Sequence, residues 1–203
     1  MTVSFAEART LLTPAVPDPV CYTLDDVERV FGVTHSPEQK AARQNIPFTE
    51  DVLKACAGTH MLFPGFPLSL LEIRAKHADV FSKMDCWYVN QPFAEDEPVR
   101  PSWHLLRMEP VPGSLGKSWD EQQKLLLPDE EVPSAALVAF ATILHFEVMK
   151  QRLFERHYVR TSDVASGGRR VFVGVFDADG FLVGGDWDAR RYGLLGVSSS
   201  RKF

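Results

Sequence analysis

The feature that most constrains the fold is an apolar segment in the last third of the chain. From residue 134 to about residue 153, alanine, leucine, valine, phenylalanine and isoleucine surround most of a predicted helix, and Pro133 stands at its first turn. A helix that is apolar on every side must be covered on every side, so we expect it at the centre of the molecule. His145 and Glu147 interrupt the segment well short of the roughly 20 apolar residues that a membrane span requires. The sequence therefore predicts a core helix.

Three short strands are predicted to follow this helix, at residues 158–162, 169–176 and 181–183. A glycine-rich turn and the turn from Asp177 to Gly180 connect them, so we expect an antiparallel meander with one face on the helix. Upstream, strands are also predicted at residues 61–63, 87–90 and 103–109. The predicted fold class is α+β: a small N-terminal helical region, then a mixed unit whose long central helix packs on an antiparallel sheet that includes the C-terminal meander.

The composition divides the chain into a flexible arm at 1–20, a helical region at 21–58, and an α+β core domain with a short C-terminal tail at 59–203. Three prolines and little periodicity mark the arm, which has room for one short helix near its start. Thr23, Ser36 and Thr49 are predicted helix starts in the helical region. Thr23 heads a capping box, in which the cap side chain and the third helical residue bond each other's backbone. Ser69 and Ser118 head similar boxes in the core domain.

Length, charge and cysteine usage point to an ordinary soluble protein. A chain of 203 residues with 45% hydrophobic content can bury a sizeable core. The net charge of −5 offers no basic field for nucleic acid or an anionic membrane, so neither is favoured as a partner. The spacing of the three cysteines is not that of a disulfide-bonded framework. The N-terminus has neither the basic start nor the apolar run of a signal peptide. We therefore expect a cytoplasmic location.

The turn FDADG at residues 176–180 is the first of three near-matches to known motifs. It resembles the nucleophile loop of haloacid-dehalogenase-like phosphatases, which implies Asp177 as nucleophile and Asp179 as general acid beside Mg²⁺. Phe181 stands where that family has a small hydroxyl residue. The residues that follow the turn are too few to build the rest of that fold. A hairpin turn with Gly180 at positive φ explains the same residues, and we favour it.

The second near-match is GSLGKS at residues 113–118, which follows a predicted strand and opens a predicted helix as a phosphate-binding loop does. Val111 stands where such a loop has its first glycine, and Pro112 removes a backbone donor. A proline-glycine connection ending in a helix cap is the simpler interpretation. A Mg²⁺-dependent nucleotide- or phosphate-handling enzyme that uses Lys117 and Asp177 remains an alternative.

The third near-match spans residues 23–44, TLDDVERVFGVTHSPEQKAARQ. It resembles the helix-turn-helix of lac-repressor-like regulators, which implies Gln39, Lys40, Arg43 and Gln44 as the residues that contact DNA. Glu28 stands where that family has a small apolar residue between its helices, and a carboxylate there is costly to bury. We favour a structural helical pair and keep a DNA-binding regulator as an alternative.

The predicted contact residues lie in the acidic turn and in the aromatic and basic tail. They are Asp177, Asp179, Asp186, Trp187, Asp188, Arg190, Arg191 and Arg201. Aromatic residues and arginine are enriched at protein interfaces. Cys56 and His60 lie four residues apart, with His77 and Cys86 as further conceivable ligands, but no CxxC pair accompanies them. We predict no catalytic residue, metal ligand or cofactor.

One ordered set of residues is spread over the second half of the chain: Trp103, Glu109–Pro112, Ser114, Lys117, Phe176, Asp177, Asp179, Gly180, Leu195–Val197, Ser200 and Arg201. It resembles that of an uncharacterised bacterial protein family over about residues 46–203. The resemblance implies one α+β unit in which the acidic turn and the GVxxSR ending are family features. It implies no activity, cofactor or catalytic residue.

Our leading functional hypothesis is a binding protein that acts through contacts with another macromolecule, in the first place another protein. The phosphate-handling enzyme and the DNA-binding regulator are the alternatives from other classes. The sequence leaves the partner's identity and the oligomeric state open.

Overall fold

A computed structural model of the chain describes residues 3–12, 20–83 and 86–202. These residues form eight α-helices, one 3₁₀ turn and two four-stranded sheets. The helices are α1 Phe5–Leu12, α2 Leu24–Phe31, α3 Pro37–Ala41, α4 Glu50–Cys56, α5 Leu70–Lys76, α6 Pro92–Glu95, α7 Trp119–Gln123 and α8 Ala135–Met149. The strands are β1 His60–Pro64, β2 Trp103–Arg107, β3 Glu130–Glu131, β4 Tyr158–Val164, β5 Arg170–Asp177, β6 Gly180–Asp186, β7 Leu195–Val197 and β8 Ser200–Arg201. The predicted α+β fold is confirmed.

Helix α8 lies at the centre of the main core, as its composition predicts. Every residue from Ala135 to His145 is buried. Strands β4 and β5 pack on one side of the helix, and α2, α5 and α6 pack on another. The Phe140 ring stacks on Phe31 of α2, with 4.1 Å between ring centroids, and lies 5.9 Å from the ring of Phe63 in β1. The helix ends at Met149, before the predicted residue 153, because the next residue adopts the left-handed conformation that terminates helices.

The second sheet has the strand order β6-β5-β4-β7. Strands β4, β5 and β6 form the predicted antiparallel meander, whereas β7 pairs in parallel with β4. Residues 80–82 run along the free edge of β6, where the Phe181 N–H donates to the Val80 carbonyl over 2.8 Å. A Cβ atom on Gly180 would lie 2.7 Å from the Ser82 nitrogen, so this close approach requires glycine. The predicted strand at 87–90 is instead the 3₁₀ turn, which covers the same edge: the Trp87 indole N–H donates to the Val183 carbonyl.

The first sheet has the strand order β1-β2-β8-β3 and is antiparallel throughout. Strand β8, near the C-terminus, lies between β2 and β3. Helices α1 and α4 contact each other, and their buried residues share a second apolar cluster with Trp103 and Leu105 of β2. The flexible arm predicted over 1–20 thus contains a docked helix at Phe5–Leu12, because Ala8 and Leu12 bury an apolar face there. Residues 13–19 of that arm lie outside the described part of the chain.

The helical region contacts the core through α2, whose Val27 and Phe31 belong to the same apolar cluster as α8. The capping boxes predicted at Thr23, Ser69 and Ser118 are all present. Within the described ranges, no helix is both long enough and apolar enough to cross a bilayer.

Candidate functional site

The two faces of the second sheet have different surroundings. Side chains alternate between the faces of a strand, and Val159, Val171 and Val173 point into the core that contains α8. The opposite, outer face carries Tyr158 and Phe172, which remain half-buried. The strand register places two rows across this face, Leu195–Tyr158–Gly174–Leu182 and Val197–Arg160–Phe172–Gly184. Tyr158, Phe172 and Leu182 in these rows are partly exposed, whereas Leu195, Val197 and Arg160 are buried.

An open groove of about 380 Å³ lies on this outer face. Its lining residues are Tyr158, Phe172, Leu182, Asp186, Arg190, Tyr192 and Leu195. The Tyr158 ring lies between two other rings of the groove: its centroid is 5.0 Å from that of Phe172 and 6.2 Å from that of Tyr192. Gly174, between Tyr158 and Leu182 in its row, adds no side chain. We call this site the aromatic groove.

The segment that follows β6 also exposes large apolar side chains. Trp187 is 59% exposed, and Tyr192 and Leu194 are 43% and 41% exposed. Of these three, Tyr192 lines the aromatic groove, whereas the Trp187 ring lies close to Gly168 in the β4–β5 turn. Trp187 and Tyr192 also combine an apolar ring with a polar group, a property that favours them at interfaces.

The charged side chains around the groove are paired within the chain. Arg190 contacts Asp186 at 3.5 Å, Arg191 contacts Glu121 at 2.9 Å, and a bidentate pair joins the guanidinium of Arg170 to Asp188. Exposed ion pairs contribute little free energy, but they hold side chains in place and partly neutralise one another. Because the charged side chains are paired with one another, the aromatic side chains are the groups at this site that are left to contact a partner.

Arg160 fixes the position of the segment 187–190. It is fully buried, and its guanidinium donates to the carbonyl oxygens of Trp187 and Arg190 at 3.3 and 2.8 Å. The same guanidinium donates to the Lys117 carbonyl and to the Gln122 side chain. Sequence reasoning did not single out Arg160, because a charged residue in a strand gives no signal of such burial. It also missed Tyr158 and Phe172, although strand alternation places both opposite the valines of the core face.

The predicted contact residues fall into three separate places. Asp186 and Arg190 line the aromatic groove, and Trp187, Asp188 and Arg191 belong to the same segment of the chain. Asp177 and Asp179 lie at the other end of β6, in the β5–β6 turn, where the Asp179 N–H donates to Asp177 Oδ1 over 2.8 Å and Gly180 has a φ of 102°. This geometry is the favoured hairpin turn.

Arg201 lies in the first sheet. Its side chain is 8% exposed and pairs with Asp129 at 2.8 Å, so it is part of the packing between β8 and β3. The structure does not bring it near the aromatic groove residues of the second sheet.

The GSLGKS segment packs along β7. The Gly116 N–H donates to the Leu195 carbonyl, the Val197 N–H donates to Ser114 Oγ, and the Val111 N–H donates to the Val197 carbonyl. Backbone donors that would cradle a phosphate are thus directed at protein acceptors. The enzyme alternative with Lys117 and Asp177 stays a prediction.

The residues considered for DNA contact also have protein partners. Arg43 is 5% exposed and donates to the carbonyls of Gln39 and Gly65. Lys40 pairs with Glu28 at 3.0 Å, and Glu28 also accepts the His35 backbone N–H. These hydrogen bonds and the nearby Lys40 lower the Glu28 pKa to about 2. The Glu28 carboxylate, which the sequence indicates is costly to bury, therefore has hydrogen-bond and ion-pair partners. The DNA-binding alternative stays a prediction.

Cys56 and His60 face cations. Burial, followed by the charges of Arg107 and Arg201, lowers the His60 pKa to about 3. Two guanidinium groups disfavour a metal cation at the same place. Across the described ranges, no three histidine, cysteine or acidic side chains converge as metal ligands.

Comparisons with protein-family models, with curated proteins and with solved structures give no match to this chain.

Proposed function

We propose that the protein binds another protein, and that the aromatic groove accepts a large aliphatic or aromatic side chain of that partner. The observation that carries the proposal is the contrast between the two faces of the second sheet. α8 closes one face, whereas the other carries an open groove whose wall residue Tyr192 is 43% exposed. Burying this surface against an apolar side chain is favourable by about 25 cal/mol per Å².

The chemistry of the groove supports a protein segment as the ligand. Aromatic side chains provide large contact areas at a small cost in conformational entropy, and they dominate the affinity of many interfaces. The ion pair of Arg190 and Asp186 lies at the edge and offers hydrogen-bonding groups to polar residues next to the anchor. The partner segment is therefore expected to carry an apolar anchor with polar or charged neighbours.

A peptide-display selection on the purified protein tests the proposal. We expect the selected peptides to share an aromatic or large aliphatic residue. Tyr192→Ala removes a wall of the groove and should weaken their binding about tenfold or more, as measured by fluorescence anisotropy.

Leu127→Ala is the matched control, because Leu127 is also exposed, at 52%, and lies outside the groove. Its affinity for the selected peptides should equal that of the unaltered protein. Peptides that bind both variants equally well would contradict the proposal. Concentration-dependent dimerisation that Tyr192→Ala abolishes would replace the proposed partner with a second copy of this chain.

We further propose that the protein is soluble and works in the cytoplasm. Its three cysteines, Cys21, Cys56 and Cys86, are free thiols, as is usual in a reducing compartment. Fractionation of cells that produce the tagged protein tests this, and recovery in the membrane pellet would contradict it.

A further inference from the structure

A second cavity, which shares no lining residue with the aromatic groove, lies at the C-terminal end of α8. Its volume is about 460 Å³, within the range of small-molecule sites. The end of α8 and residues 151–153 form one side, and the end of β2 with the α4–β1 turn forms the other. We call it the His145 cavity.

A buried hydrogen-bonded pair lies at the wall of the His145 cavity. His145 is 4% exposed and Tyr22 is 2% exposed, and Nδ1 of the imidazole lies 2.6 Å from the phenol oxygen. Burial lowers the His145 pKa to about 4 and raises the Tyr22 pKa, so both are neutral near pH 7. A phenol O–H that donates to Nδ1 leaves the imidazole proton on Nε2. The nearby Gln151 side chain opposes the effect of burial on the His145 pKa without outweighing it.

Two cations and one anion complete the polar part of the lining: Arg107, Arg152 and Glu109. With His145 neutral, the lining carries a net positive charge of one. The Arg107 guanidinium lies 3.9 Å from the Glu130 carboxylate of β3, so its charge is directed towards the first sheet. The Arg152 guanidinium lies over the rings of Phe146 and Phe176 at 5.3 and 5.4 Å, which orients it.

The remaining lining is largely apolar and adaptable. Met108 and Met149 face the cavity together with Val20 and Leu153. Methionine side chains adjust to ligands of different shapes because they are unbranched and polarisable. Such walls suit the hydrocarbon part of a ligand.

We propose that the His145 cavity binds a small organic carboxylate with an apolar body. The carboxylate lies towards the exposed guanidinium of Arg152, since guanidinium groups bind carboxylates through paired charge-assisted hydrogen bonds. The apolar body lies against the two methionines. The neutral imidazole provides a fixed dipole at the wall that needs no ionisation to act as a donor. This site is separate from the aromatic groove and does not rest on the proposed function.

Octanoate is the probe for the first test, with octan-1-ol and octylamine as matched ligands. Methyl-labelled methionine NMR reports on the cavity directly. Octanoate should shift the methyl signals of Met108 and Met149 and leave that of Met61, a fully buried residue outside the cavity, unchanged. We expect a Kd of about 1 mM or below, and binding about tenfold weaker for octan-1-ol and octylamine.

Arg152→Gln and Arg156→Gln form a matched pair of variants. Both arginines are exposed, but Arg156 does not line the cavity. Arg152→Gln should weaken octanoate binding about tenfold and leave octan-1-ol binding unchanged, while Arg156→Gln should change neither.

Three results would overturn the proposal. These are methyl shifts that spare both Met108 and Met149, equal losses for the two arginine variants, and equal affinities for octanoate and octylamine. Circular dichroism of each variant checks that the fold is retained, so a loss of binding reports on the site itself.

Discussion

Asp163 is a buried carboxyl group whose ionisation opposes folding. It is 5% exposed, and its Oδ2 accepts hydrogen bonds from the Ala135 N–H at the start of α8 and from the Thr161 hydroxyl. Burial, together with the nearby Glu97 carboxylate, raises the Asp163 pKa to about 6. The two hydrogen bonds favour the ionised form but do not outweigh these effects.

Replacing Asp163 tests this balance. Because the pKa in the folded state exceeds the unfolded value of 3.8, its contribution to stability is complete below pH 3.8 and is lost as the pH rises through 6. Asp163→Asn keeps the acceptor and removes the ionisation. Relative to the variant, the unaltered protein should lose on the order of 3 kcal/mol of unfolding free energy between pH 4 and pH 8. Urea denaturation at several pH values measures this difference.

Glu97→Gln is the control for this residue. It removes the neighbouring negative charge, so the transition that Asp163 causes should move to lower pH while the residue itself is retained. An unaltered protein whose stability parallels that of Asp163→Asn at every pH would show that the carboxyl titrates normally.

At the scale of elements, the pairing of β7 with the GSLGKS segment depends on a close approach. A Cβ atom on Gly196 would lie 2.7 Å from Ser114 Oγ and 2.8 Å from Pro110 Cβ. Gly196→Ala should therefore push the segment away from β7 and lower the unfolding free energy by about 1–3 kcal/mol, as measured by urea denaturation.

Gly193 provides the matched control three residues earlier. A Cβ atom there would meet no atom of the described residues within 4 Å. Gly193→Ala should be neutral, or should stabilise the fold by up to about 1 kcal/mol through a less flexible unfolded chain. Equal destabilisation by the two substitutions would contradict the close packing of β7.

The elements that the sequence predicts are those with local signals. Apolar residues on all sides specify α8, capping boxes mark the starts at Thr23, Ser69 and Ser118, and alternation with turn residues specifies the meander. Strands β3, β7 and β8 have two or three residues each, too few for a periodic pattern, and pair with distant partners. The sequence predicts one part of the aromatic groove, the segment 186–191, from its aromatic and charged composition. It does not predict the floor, because Tyr158 and Phe172 lie in strands whose pattern indicates packing on the core.

Across the whole molecule, buried histidines should make the fold sensitive to acid. Burial lowers the pKa of His60 to about 3 and those of His104 and His145 to about 4, from 6.5. A depressed pKa contributes stability above the unfolded value, and that stability is lost as the pH falls below 6.5. Each histidine should cost about 2 kcal/mol by pH 5, while Asp163 offsets about 1 kcal/mol.

Thermal unfolding between pH 7.5 and pH 4.5 measures this dependence. The expected result is a melting temperature that falls steadily below about pH 6.5. A melting temperature that is constant, or that rises towards pH 5, would mean that the three imidazoles are accessible to protons in the folded state.

The central claim is that the outer face of the second sheet is a protein-binding surface, and photo-crosslinking in the native cell tests it most directly. A photoreactive phenylalanine derivative replaces Tyr192 in one variant and Leu127 in a control variant, both at exposed positions. We predict a discrete adduct with another protein from position 192 and none from position 127. Tyr158→Ala in the groove floor should reduce the yield of that adduct. Equal adducts from both positions, or none from position 192, would contradict the claim.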